Sequence, residues 1–539
     1  MTSNFIIFEG WHVKNLLKIT KYQSHRQTLP RDLRHLVIKP SIVDTESNPS
    51  FFFSVALLPP FFFQLPSNTH GSLDFRGIRG HESQISNERA RVRGKLVMES
   101  SPSSSTSSTH CFSPHSQGEV KLTITQLEQE NVERKVFEIY RHFAEAPPQA
   151  KSFMVELWRD EHIEFLTKGL RKLGPNFDIL DANRPWLCYW IVHSIALLGE
   201  HVDSELENNI VAFLAHCQDK DGGYGGGPGQ MPHLATTYAA VNTLVTLGSE
   251  RALSSIDRGK MYEFLLQMKD ASGAFRMHDG GEIDVRACYT AISAASMLNI
   301  LDSVLIKDVG NFIGSCQTYE GGIAGEPGSE AHGGYTFCGL AAMILINEAD
   351  KLDMPSLIDW AVFRQGVECG FQGRTNKLVD GCYSFWQGGA VALIQKLLSA
   401  AGKESPLCGG QASEECMYNI TLSPGGKLSD VGFAFMNEKT ECSPLFHTIA
   451  LQQYLLLCSQ IHEGGFRDKP GKSRDHYHSC YCLSGLSVSQ YSHCKDPHHS
   501  SPSPNDVLGP YSNLLEPIHP LYNVVLDKYD KAREFFSAF

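Results

Sequence analysis

The sequence predicts an all-α fold of about six helical hairpins, and three observations support this. A Gln followed by a polar or acidic turn and small residues recurs along the chain, at Gln218, Gln267, Gln317, Gln365 and Gln460. Successive positions are 49, 50, 48 and 95 residues apart, and a period near 49 holds two helices and two loops. Apolar segments at helical spacing flank the turns, and strand signals are weak throughout.

The individual elements follow in chain order. Thr125-Gln-Leu-Glu128 matches a capping box, so the first helix is predicted to begin near Thr125, and a second is predicted over 153–173. The repeats and the C-terminus predict about twelve more, over 187–198, 210–216, 234–247, 261–268, 287–298, 309–316, 335–346, 357–363, 383–398, 445–458, 480–489 and 527–536. Stacked hairpins extend as an open solenoid or close into a ring, and the period alone does not choose between them.

Two segments differ from the repeats. Residues 1–118 are basic at first, then rich in Phe, then contain a Ser run, which is the composition of a disordered or processed leader. The early Lys and Arg residues suit an organellar transit peptide, but the Phe-rich block does not, and Met98 offers a later start. Residues 119–539 are predicted to form one domain, with an inserted polar loop at 402–442 in the double-length gap between repeats.

Composition excludes several classes of protein. The net charge of −12 argues against a nucleic-acid partner. No apolar run reaches the roughly 18 residues that suggest a membrane helix, because the nearest one, 51–64, is short and is broken by Pro59-Pro60. The fifteen Cys are irregularly spaced and form no CxxC pair, which favours free thiols and a cytoplasmic location.

A reaction site is predicted between Arg374 and Trp386, where two cations, a carboxylate, a thiol and two aromatic residues lie within thirteen residues. Asp380 and Cys382 would stand about 200° apart around a regular helix, so they converge only if Gly381 breaks it. We expect a loop that ends at Gly381 and a helix that begins near Cys382. The N-terminus of that helix would favour a thiolate.

Asp380 and Cys382 suggest a zinc site that needs a third ligand from another repeat. His478, near the matching end of a later repeat, is the preferred candidate. Cys482 is a rival because it lies four residues after His478 and would share its helix face. Three protein ligands would leave a fourth position open, as in catalytic zinc sites. For the Asp and Cys taken alone, a small buried Cys is the alternative.

The repeats also predict that polar residues share one rim. His233, His332, Asp380 and Asp475 each stand ten residues after the last Gly of a turn, and equivalent positions in stacked repeats lie on one face.

Three cations point to a phosphate-bearing ligand beside that metal. Arg374 and Lys377 are three residues apart, and Lys472 has the same offset from its Gly as Lys377. Such a cluster suits a diphosphate, and a solvated basic surface is the alternative. Asp468, which lies among cations, either holds Mg²⁺ at the phosphates or pairs with Lys472.

Aromatic residues are the third component of the predicted site. They lie at or just after the Gly-rich turns: Trp186, Trp190, Tyr238, Tyr289, Tyr335, Trp386 and Tyr477. Aromatic residues at helical spacing are usually core, but a ring of them beside the cations would form a pocket for an apolar tail.

Several long segments, in order, resemble the farnesyl-transferring β subunits of the protein prenyltransferase family. They are Arg184-Pro-Trp-Leu-Cys-Tyr-Trp190, Gly227-Pro-Gly-Gln-Met-Pro-His233, Ala331-His-Gly-Gly-Tyr-Thr-Phe337, the stretch from Phe371 to Trp386, and Lys469-Pro-Gly-Lys-Ser-Arg-Asp-His-Tyr-His478. The resemblance runs from about residue 120 to the C-terminus except for the insertion, which looks like that of plant members.

The resemblance implies a closed α–α barrel, an α6/α6 toroid of six helical hairpins, that pairs with a separate α subunit. It implies zinc on Asp380, Cys382 and His478, which removes Cys482 as a ligand, with Mg²⁺ at Asp468. The substrate-binding residues it implies are His332, Gly334, Tyr335, Cys338, Arg374, Lys377, Tyr383, Trp386, Lys472, Tyr238 and Tyr289. The implied peptide-binding residues are Trp186, Trp190, His233, Arg286 and Tyr477.

The implied reaction transfers farnesyl from farnesyl diphosphate to the cysteine thiol of a C-terminal Ca-a-X motif, on proteins such as small GTPases. Zinc would lower the pKa of the acceptor thiol, and the cations with Mg²⁺ would stabilise the leaving diphosphate. Asp380, Cys382, His478, Lys377 and Tyr383 are the expected catalytic residues.

Three alternatives remain on the sequence. A type I geranylgeranyl-transferring β subunit belongs to the same family, but Trp186 and Asp468 resemble the farnesyl branch. A terpene cyclase would need an acidic DxDD or DDxxD motif, which the chain lacks. A non-catalytic toroid used as a binding module would not need Asp380, Cys382 and His478 together.

One position departs from the repeat pattern. Cys369 stands where the other turns carry Gly, so a positive φ there would introduce strain and reduce stability.

Overall fold

The computed structural model describes residues 122–402 and 418–538. The leader predicted over 1–118 and the part of the insertion at 403–417 therefore lie outside the described residues. Within the described residues, no helix is both long and apolar enough to cross a membrane.

The regular secondary structure of the described residues is almost entirely helical. Its first nine α-helices are α1 (Ile124–Glu145), α2 (Pro148–Met154), α3 (Arg159–Arg171), α4 (Arg184–Leu197), α5 (Ser204–Cys217), α6 (Leu234–Leu247), α7 (Glu250–Ser254), α8 (Arg258–Met268) and α9 (Val285–Met297). The rest are α10 (Ser303–Ile306), α11 (Val309–Ser315), α12 (Gly333–Leu345), α13 (Met354–Val362), α14 (Tyr383–Ala400), α15 (Val431–Asn437), α16 (Thr448–Tyr454), α17 (His476–Tyr491) and α18 (Leu526–Ser537).

Short segments complete the chain. A π-helix follows α16 at Leu455–Ser459. The 3₁₀ segments are Pro175–Asn183, Ala349–Lys351, Leu428–Asp430, Pro504–Asp506 and Tyr511–Asn513. Two antiparallel pairs of strands occur, β1 (Phe466–Arg467) with β2 (Arg474–Asp475), and β3 (Ile518–His519) with β4 (Val524–Val525).

Six inner helices form a closed ring, which decides the question that the period left open. They are α4, α6, α9, α12, α14 and α17. Each packs against the next, and α17 packs back against α4. Almost every residue of these helices is buried, as in α6, where thirteen of fourteen positions are buried. The predicted all-α barrel of six hairpins is therefore confirmed.

The partners in the outer layer are α3, α5, α8, α11, α13 and α16. The prediction counted the C-terminal helix among twelve hairpin helices, and this was wrong. The first outer helix is α3, which packs on α4, whereas α18 packs on α6 and α9.

In three repeats the recurring Gln bonds to the chain just before the next outer helix. Gln317 Nε2 donates to the Asp353 carbonyl at 2.9 Å and Gln317 Oε1 accepts from the Asp353 amide at 2.8 Å, just before α13. Gln365 makes the same two bonds to His447 before α16. Gln460 closes the ring, because its side chain bonds to the Glu156 carbonyl and the Trp158 amide ahead of α3.

The predicted register of the second turn was wrong. Lys269, not Gln267, pairs with Phe275 across the turn, as Gln218 pairs with Tyr224. The bridge partners across these turns are six positions apart in each case, so the substitution of Lys for Gln hid the equivalence. Lys269 Nζ still reaches the next repeat, where it donates to the Lys307 carbonyl at 2.7 Å.

Cys369 has a φ of +75°, where the equivalent residues are Gly222, Gly273, Gly321 and Gly464. The condition for the predicted strain is therefore met, since a side chain at positive φ costs energy that Gly avoids.

Side chains from the inner helices hold the C-terminal β3–β4 turn inside one end of the barrel, which we call the base. The hydroxyl of Tyr189 donates to the Asn523 carbonyl at 2.7 Å, that of Tyr238 to Tyr522 at 2.9 Å, and that of Tyr289 to Leu521 at 2.8 Å. The described part of the insertion also packs near the C-terminal ends of the inner helices. The Gln395 side chain of α14 donates to the Cys442 carbonyl at 2.9 Å.

Several predicted helix boundaries were wrong, as three examples show. The first capping box is formed by Thr123 and Gln126, which match the same pattern two residues earlier. The helix predicted over 153–173 is interrupted because the amides of Leu157 and Trp158 bond to Asn513 and Gln460. The helix predicted over 445–458 begins only at Thr448 and becomes a π-helix at Leu455.

Candidate active site

The N-terminal ends of the inner helices form the other end of the barrel, which we call the rim. The residues ten positions after each turn all lie there, and most of them cap the helix that follows. Nδ1 of His332 accepts from the Gly334 amide at 3.1 Å, Nδ1 of His233 from Ala235 at 3.1 Å, and Oδ1 of Asp475 from His478 at 2.7 Å. Capping therefore explains part of the polar pattern.

Asp284 completes this series and was missed. It caps α9 by accepting from the amides of Arg286 and Ala287. It also stands ten residues after the end of its turn, but that turn ends in Ala274 where the others have Gly. The apolar residue after each turn, here Phe275, would have revealed the register.

The loop before α14 has the predicted form. Cys382 is the N-cap residue and α14 begins at Tyr383, while Asp380 Oδ1 accepts from the Cys382 amide at 2.8 Å. Gly381 donates its amide to the Asp468 carbonyl at 2.8 Å. A Cβ on Gly381 would lie 2.6 Å from Cys482 Sγ, so only Gly fits between the loop and α17.

Asp380, Cys382 and His478 come together at the rim. One ligand atom from each lies within 4.8 Å of the other two, and among the described residues this is the group of three or more that could hold a metal. His478 Nε2 is 3.4 Å from Asp380 Oδ1, and its Nδ1 donates to Asp475 Oδ2 at 2.7 Å. A carboxylate behind the imidazole fixes the ring and directs Nε2 toward the metal position.

The donor set fits zinc. An oxygen, a sulfur and a nitrogen are the atoms that zinc takes in tetrahedral sites, at about 2.0–2.3 Å. Three protein ligands would leave a fourth position open. Cys482 lies behind Gly381 and is not part of the group.

The electrostatics of the trio also suit a cation. Burial would raise the pKa of Asp380, but His478 and Lys469 together hold it below its ordinary value. Burial and the Asp380 carboxylate raise the pKa of Cys382. Burial and a neighbouring negative charge therefore oppose the thiolate that the helix N-terminus favours.

Arg374 and Lys377 occupy the two ends of one tight turn. The Lys377 amide donates to the Arg374 carbonyl at 3.3 Å, and Asn376 has a φ of +60°. Arg374 pairs with Glu330 at 2.9 Å, and both side chains are partly exposed. Lys472 closes the matching turn of the last repeat on Lys469 at 3.1 Å and is exposed.

Lys469 is a site residue that the sequence reasoning missed. It is buried, it pairs with Asp468, and the Asp380 and Asp468 carboxylates raise its pKa against the effect of burial. The alternative pairing of Asp468 with Lys472 was wrong, because the adjacent lysine takes that carboxylate. Lys469 stands four residues after its turn, as Arg374 does, and this offset would have identified it.

Tyr383 and His332 form a second polar pair at the rim. Nδ1 of His332 accepts from Gly334, so the ring hydrogen is on Nε2, which donates to the Tyr383 hydroxyl at 3.0 Å. Burial and the charges of Arg374 and Arg286 lower the pKa of His332 to about 3. The imidazole is therefore neutral at physiological pH, and the Tyr383 hydrogen remains free to donate to a ligand.

A continuous belt of aromatic rings lines the barrel beneath these polar groups. Successive centroids are 4.6 to 5.7 Å apart, in the order Trp186, Tyr238, Tyr289, Phe337, Trp386, Tyr481, Tyr477, Trp190 and back to Trp186. The neighbouring Cys338 is also buried.

Phe337 and Tyr481 were missed in this belt. Phe337 follows its turn by fifteen residues, as Tyr238 does, and Tyr481 follows by sixteen, as Trp386 does. The repeat offset would have found both.

Two of the predicted peptide-binding residues, His233 and Arg286, lie at the starts of the second and third inner helices. Arg286 is 1% exposed and pairs with Asp284, and its guanidinium lies 5.6 Å from the Tyr335 ring centroid. The His233 ring is 5.3 Å from that of His278. Burial together with His278 and Arg286 lowers the pKa of His233 to about 3, so it too is neutral.

Comparison with known proteins agrees with this geometry. The family model described as the prenyltransferase alpha-alpha toroid domain matches residues 157–524. The protein farnesyltransferase subunit beta of Pisum sativum is 60% identical over 435 residues, which cover 77% of this chain and 97% of that protein. The chain belongs to the protein farnesyltransferase β-subunit family.

A second relative and one solved structure are also similar to this chain. The protein of the same name from Arabidopsis thaliana is 56% identical and covers 77% of this chain and 90% of its own length. A Candida albicans protein geranylgeranyltransferase-I complexed with GGPP matches with a TM-score of 0.51 at 21% identity, covering 70% of this chain and 99% of that one. At that identity the solved structure supports the fold alone. Family membership makes this chain a subunit of a prenyl-transferring enzyme.

Proposed function

We propose that this chain is the catalytic β subunit of a heterodimer that transfers farnesyl from farnesyl diphosphate to the cysteine of a C-terminal Ca-a-X motif. The observation that carries the proposal is the meeting of Asp380, Cys382 and His478 at the rim, directly above a belt of aromatic side chains. An acceptor sulfur at the open metal position would lie between the cations and the apolar barrel.

Asp380, Cys382 and His478 would hold zinc, with Asp475 fixing the His478 ring. Bound zinc supplies a positive charge that lowers the pKa of a cysteine thiol at its open position, so a thiolate forms near neutral pH. Gly381 and the N-cap at Cys382 hold the loop that carries Asp380 and Cys382 against α17, and this would fix the position of the acceptor sulfur.

The leaving group is diphosphate, and Arg374, Lys377 and Lys472 are its proposed partners. Charge grows on the diphosphate as the carbon–oxygen bond breaks, and fixed cations and hydroxyl donors stabilise that charge. Tyr383 donates its hydroxyl hydrogen while His332 holds the oxygen. Asp468 is the proposed Mg²⁺ ligand, and burial with the nearby Asp380 raises its pKa to about 7, so a cation would favour its ionised form.

The aromatic belt would receive the isoprenoid. Trp186 is 2% exposed and contacts both Tyr238 and Trp190, which limits the depth of the pocket. We therefore favour farnesyl over the longer geranylgeranyl group. Trp186→Thr is expected to shift the ratio of the two kcat/KM values toward geranylgeranyl diphosphate, and an unchanged ratio would remove Trp186 from this role.

The proposal also covers the cellular compartment and the partner subunit. No disulfide links the twelve cysteines of the described residues, which supports a reducing compartment such as the cytoplasm. Residues 119–539 would act as one catalytic domain together with an α subunit.

The test is co-expression with a prenyltransferase α subunit, followed by metal analysis and a transfer assay. We expect about one zinc per heterodimer and zinc-dependent labelling of a Ca-a-X peptide with farnesyl diphosphate in preference to geranylgeranyl diphosphate. Bound zinc with the opposite preference would favour the type I geranylgeranyl enzyme. Absence of zinc would favour a non-catalytic binding module.

A further inference from the structure

The turn that carries Arg374 and Lys377 is built differently from its equivalents in the other repeats. Each equivalent turn is closed by a bond from its fourth amide to its first carbonyl, in Gly227–Gln230, His278–Gly281, Glu326–Ser329 and Lys469–Lys472. In all four the third residue is Gly at a φ between 68° and 88°. Three of the four also have Pro in second place.

Pro followed by Gly sets this geometry locally. Pro fixes the φ of the second position and Gly accepts the positive φ of the third. The Arg374–Lys377 turn has Thr375 and Asn376 at these positions. Asn376 takes a φ of +60°, which Asn tolerates less readily than Gly, and Thr375 does not restrict φ as Pro does.

Hydrogen bonds to other parts of the fold replace the backbone restraint that Pro and Gly give to the other turns. The Thr375 hydroxyl donates to Glu320 Oε2 at 2.6 Å and accepts from Arg364 Nη1 at 2.8 Å. Arg364 is 8% exposed, and its Nε donates to the Trp360 carbonyl at 3.1 Å. Glu320 belongs to the turn of the preceding repeat, so the Thr375 side chain is fastened to two separate elements.

We propose that Thr375, held by Glu320 and Arg364, is a positioning residue that fixes the Arg374–Lys377 turn so that both cations face one diphosphate. The inference rests on the proposed function, because it assumes that these cations bind the diphosphate. The exchange has a physical consequence. The conformation of a Pro-Gly turn is set by its own two residues. The hydrogen bonds of Thr375 instead set the position of its turn relative to the neighbouring repeat, which also supplies His332 and Glu330.

A substitution that removes the hydroxyl tests this directly. In the heterodimer, Thr375→Val should raise the Kd for farnesyl diphosphate by about tenfold, since small misplacements of binding groups have effects of this size or larger. The KM for farnesyl diphosphate should rise with it, while zinc content and the KM for the peptide stay unchanged. Thr375→Ser keeps the hydroxyl and should bind as the wild type does.

A second variant separates positioning from direct contact. The double change Thr375→Pro and Asn376→Gly gives this turn the same Pro-Gly pair as Lys469–Lys472 and removes the hydroxyl. The Thr375 amide makes no hydrogen bond within the described part of the chain, so Pro loses nothing there. We expect this variant to recover most of the affinity that Thr375→Val loses.

Each outcome decides the question. Wild-type affinity in Thr375→Val would overturn the inference, and so would a Pro-Gly variant as weak as Thr375→Val, because the hydroxyl would then act other than by setting the turn. Glu320→Gln offers a check if Thr375→Val folds poorly, and it should raise the same Kd by a smaller factor. A wild-type heterodimer that binds zinc but not farnesyl diphosphate would instead refute the proposed function.

Discussion

Apart from the helix caps, the rim and the base of the barrel differ in the groups to which their polar side chains bond. At the base, side chains bond to main-chain carbonyls, as Tyr189 does to Asn523 and Tyr289 does to Leu521. At the rim, charged side chains bond to one another, as His478 does to Asp380, Lys469 to Asp468 and Arg374 to Glu330.

This difference in bonding partners suggests that the base stabilises the fold and that the rim binds ligands. A bond to a main-chain carbonyl cannot be exchanged without moving the chain, so the base is fixed. A pair of charged side chains can open when a ligand offers a better partner, so the rim can take up a cation or a diphosphate. Removing a group at the base should therefore affect stability, and removing one at the rim should affect binding and rate.

The largest effect is expected at the metal position. Cys382→Ala should lose bound zinc and lower the transfer rate by more than about 100-fold, since even residues behind metal ligands are worth 10 to 100-fold. Metal analysis and a transfer assay of the purified heterodimer would measure both. Cys482→Ala is the matched control, because this thiol is buried behind Gly381 and should be dispensable for zinc. An equal zinc loss in the control would restore Cys482 as a ligand.

The contact between the last and the first repeat also has a structural role, but it contains a titratable group, His162. His162 Nδ1 accepts from the Gly465 amide at 2.7 Å and its Nε2 bonds to Gln460 at 2.9 Å, while burial lowers its pKa to about 4.

Above pH 6.5 the imidazole is neutral in both folded and unfolded chains, and its stabilising effect is complete. As the pH falls from 6.5 to 4, the unfolded chain takes up a proton that the fold excludes, and stability falls by about 3 kcal/mol in total. In thermal unfolding of the heterodimer, His162→Gln should show a shallower loss of Tm across this window. An identical slope would contradict the assignment.

At the base, Tyr189→Phe should lower the free energy of unfolding by about 1–3 kcal/mol, because the buried Asn523 carbonyl loses its donor. The kcat and KM values should not change, since the hydroxyl lies away from the rim. Tyr262→Phe is a suitable control, because its hydroxyl bonds to Asp302 in a partly buried position and should cost less. A fall in kcat with normal stability would contradict the purely structural role assigned to the base.

The smallest effect is expected where a rim pair competes with a ligand. Glu330→Gln frees Arg374 from its partner, and a partly exposed pair is worth at most about 1 kcal/mol. The affinity for farnesyl diphosphate, measured by fluorescence titration, should therefore rise by no more than about fivefold. Glu326→Gln, four residues earlier, should leave it unchanged. Weaker binding in Glu330→Gln would show that this carboxylate helps to place Arg374.

Particular residues show how far sequence reasoning reached. The zinc trio was predicted because Asp380 and Cys382 needed a break at Gly381 and His478 stood near the matching end of a later repeat. Lys469, Asp284, Phe337 and Tyr481 were missed although repeat offsets point to all four. The interruption at residues 155–158 had no local signal, because amides bonded there to Gln460 and Asn513, about 300 residues away or more, prevent a continuous helix.

Sequence patterns were enough to predict the helical repeats, their period and the residue types that converge on one rim, because helix periodicity and turn chemistry act over short distances. The closure of the ring and the filling of its base by the C-terminal turn could be seen only in the folded structure. These depend on groups far apart in the chain, such as Gln460 and Trp158, whose bonds form only when the first and last repeats meet.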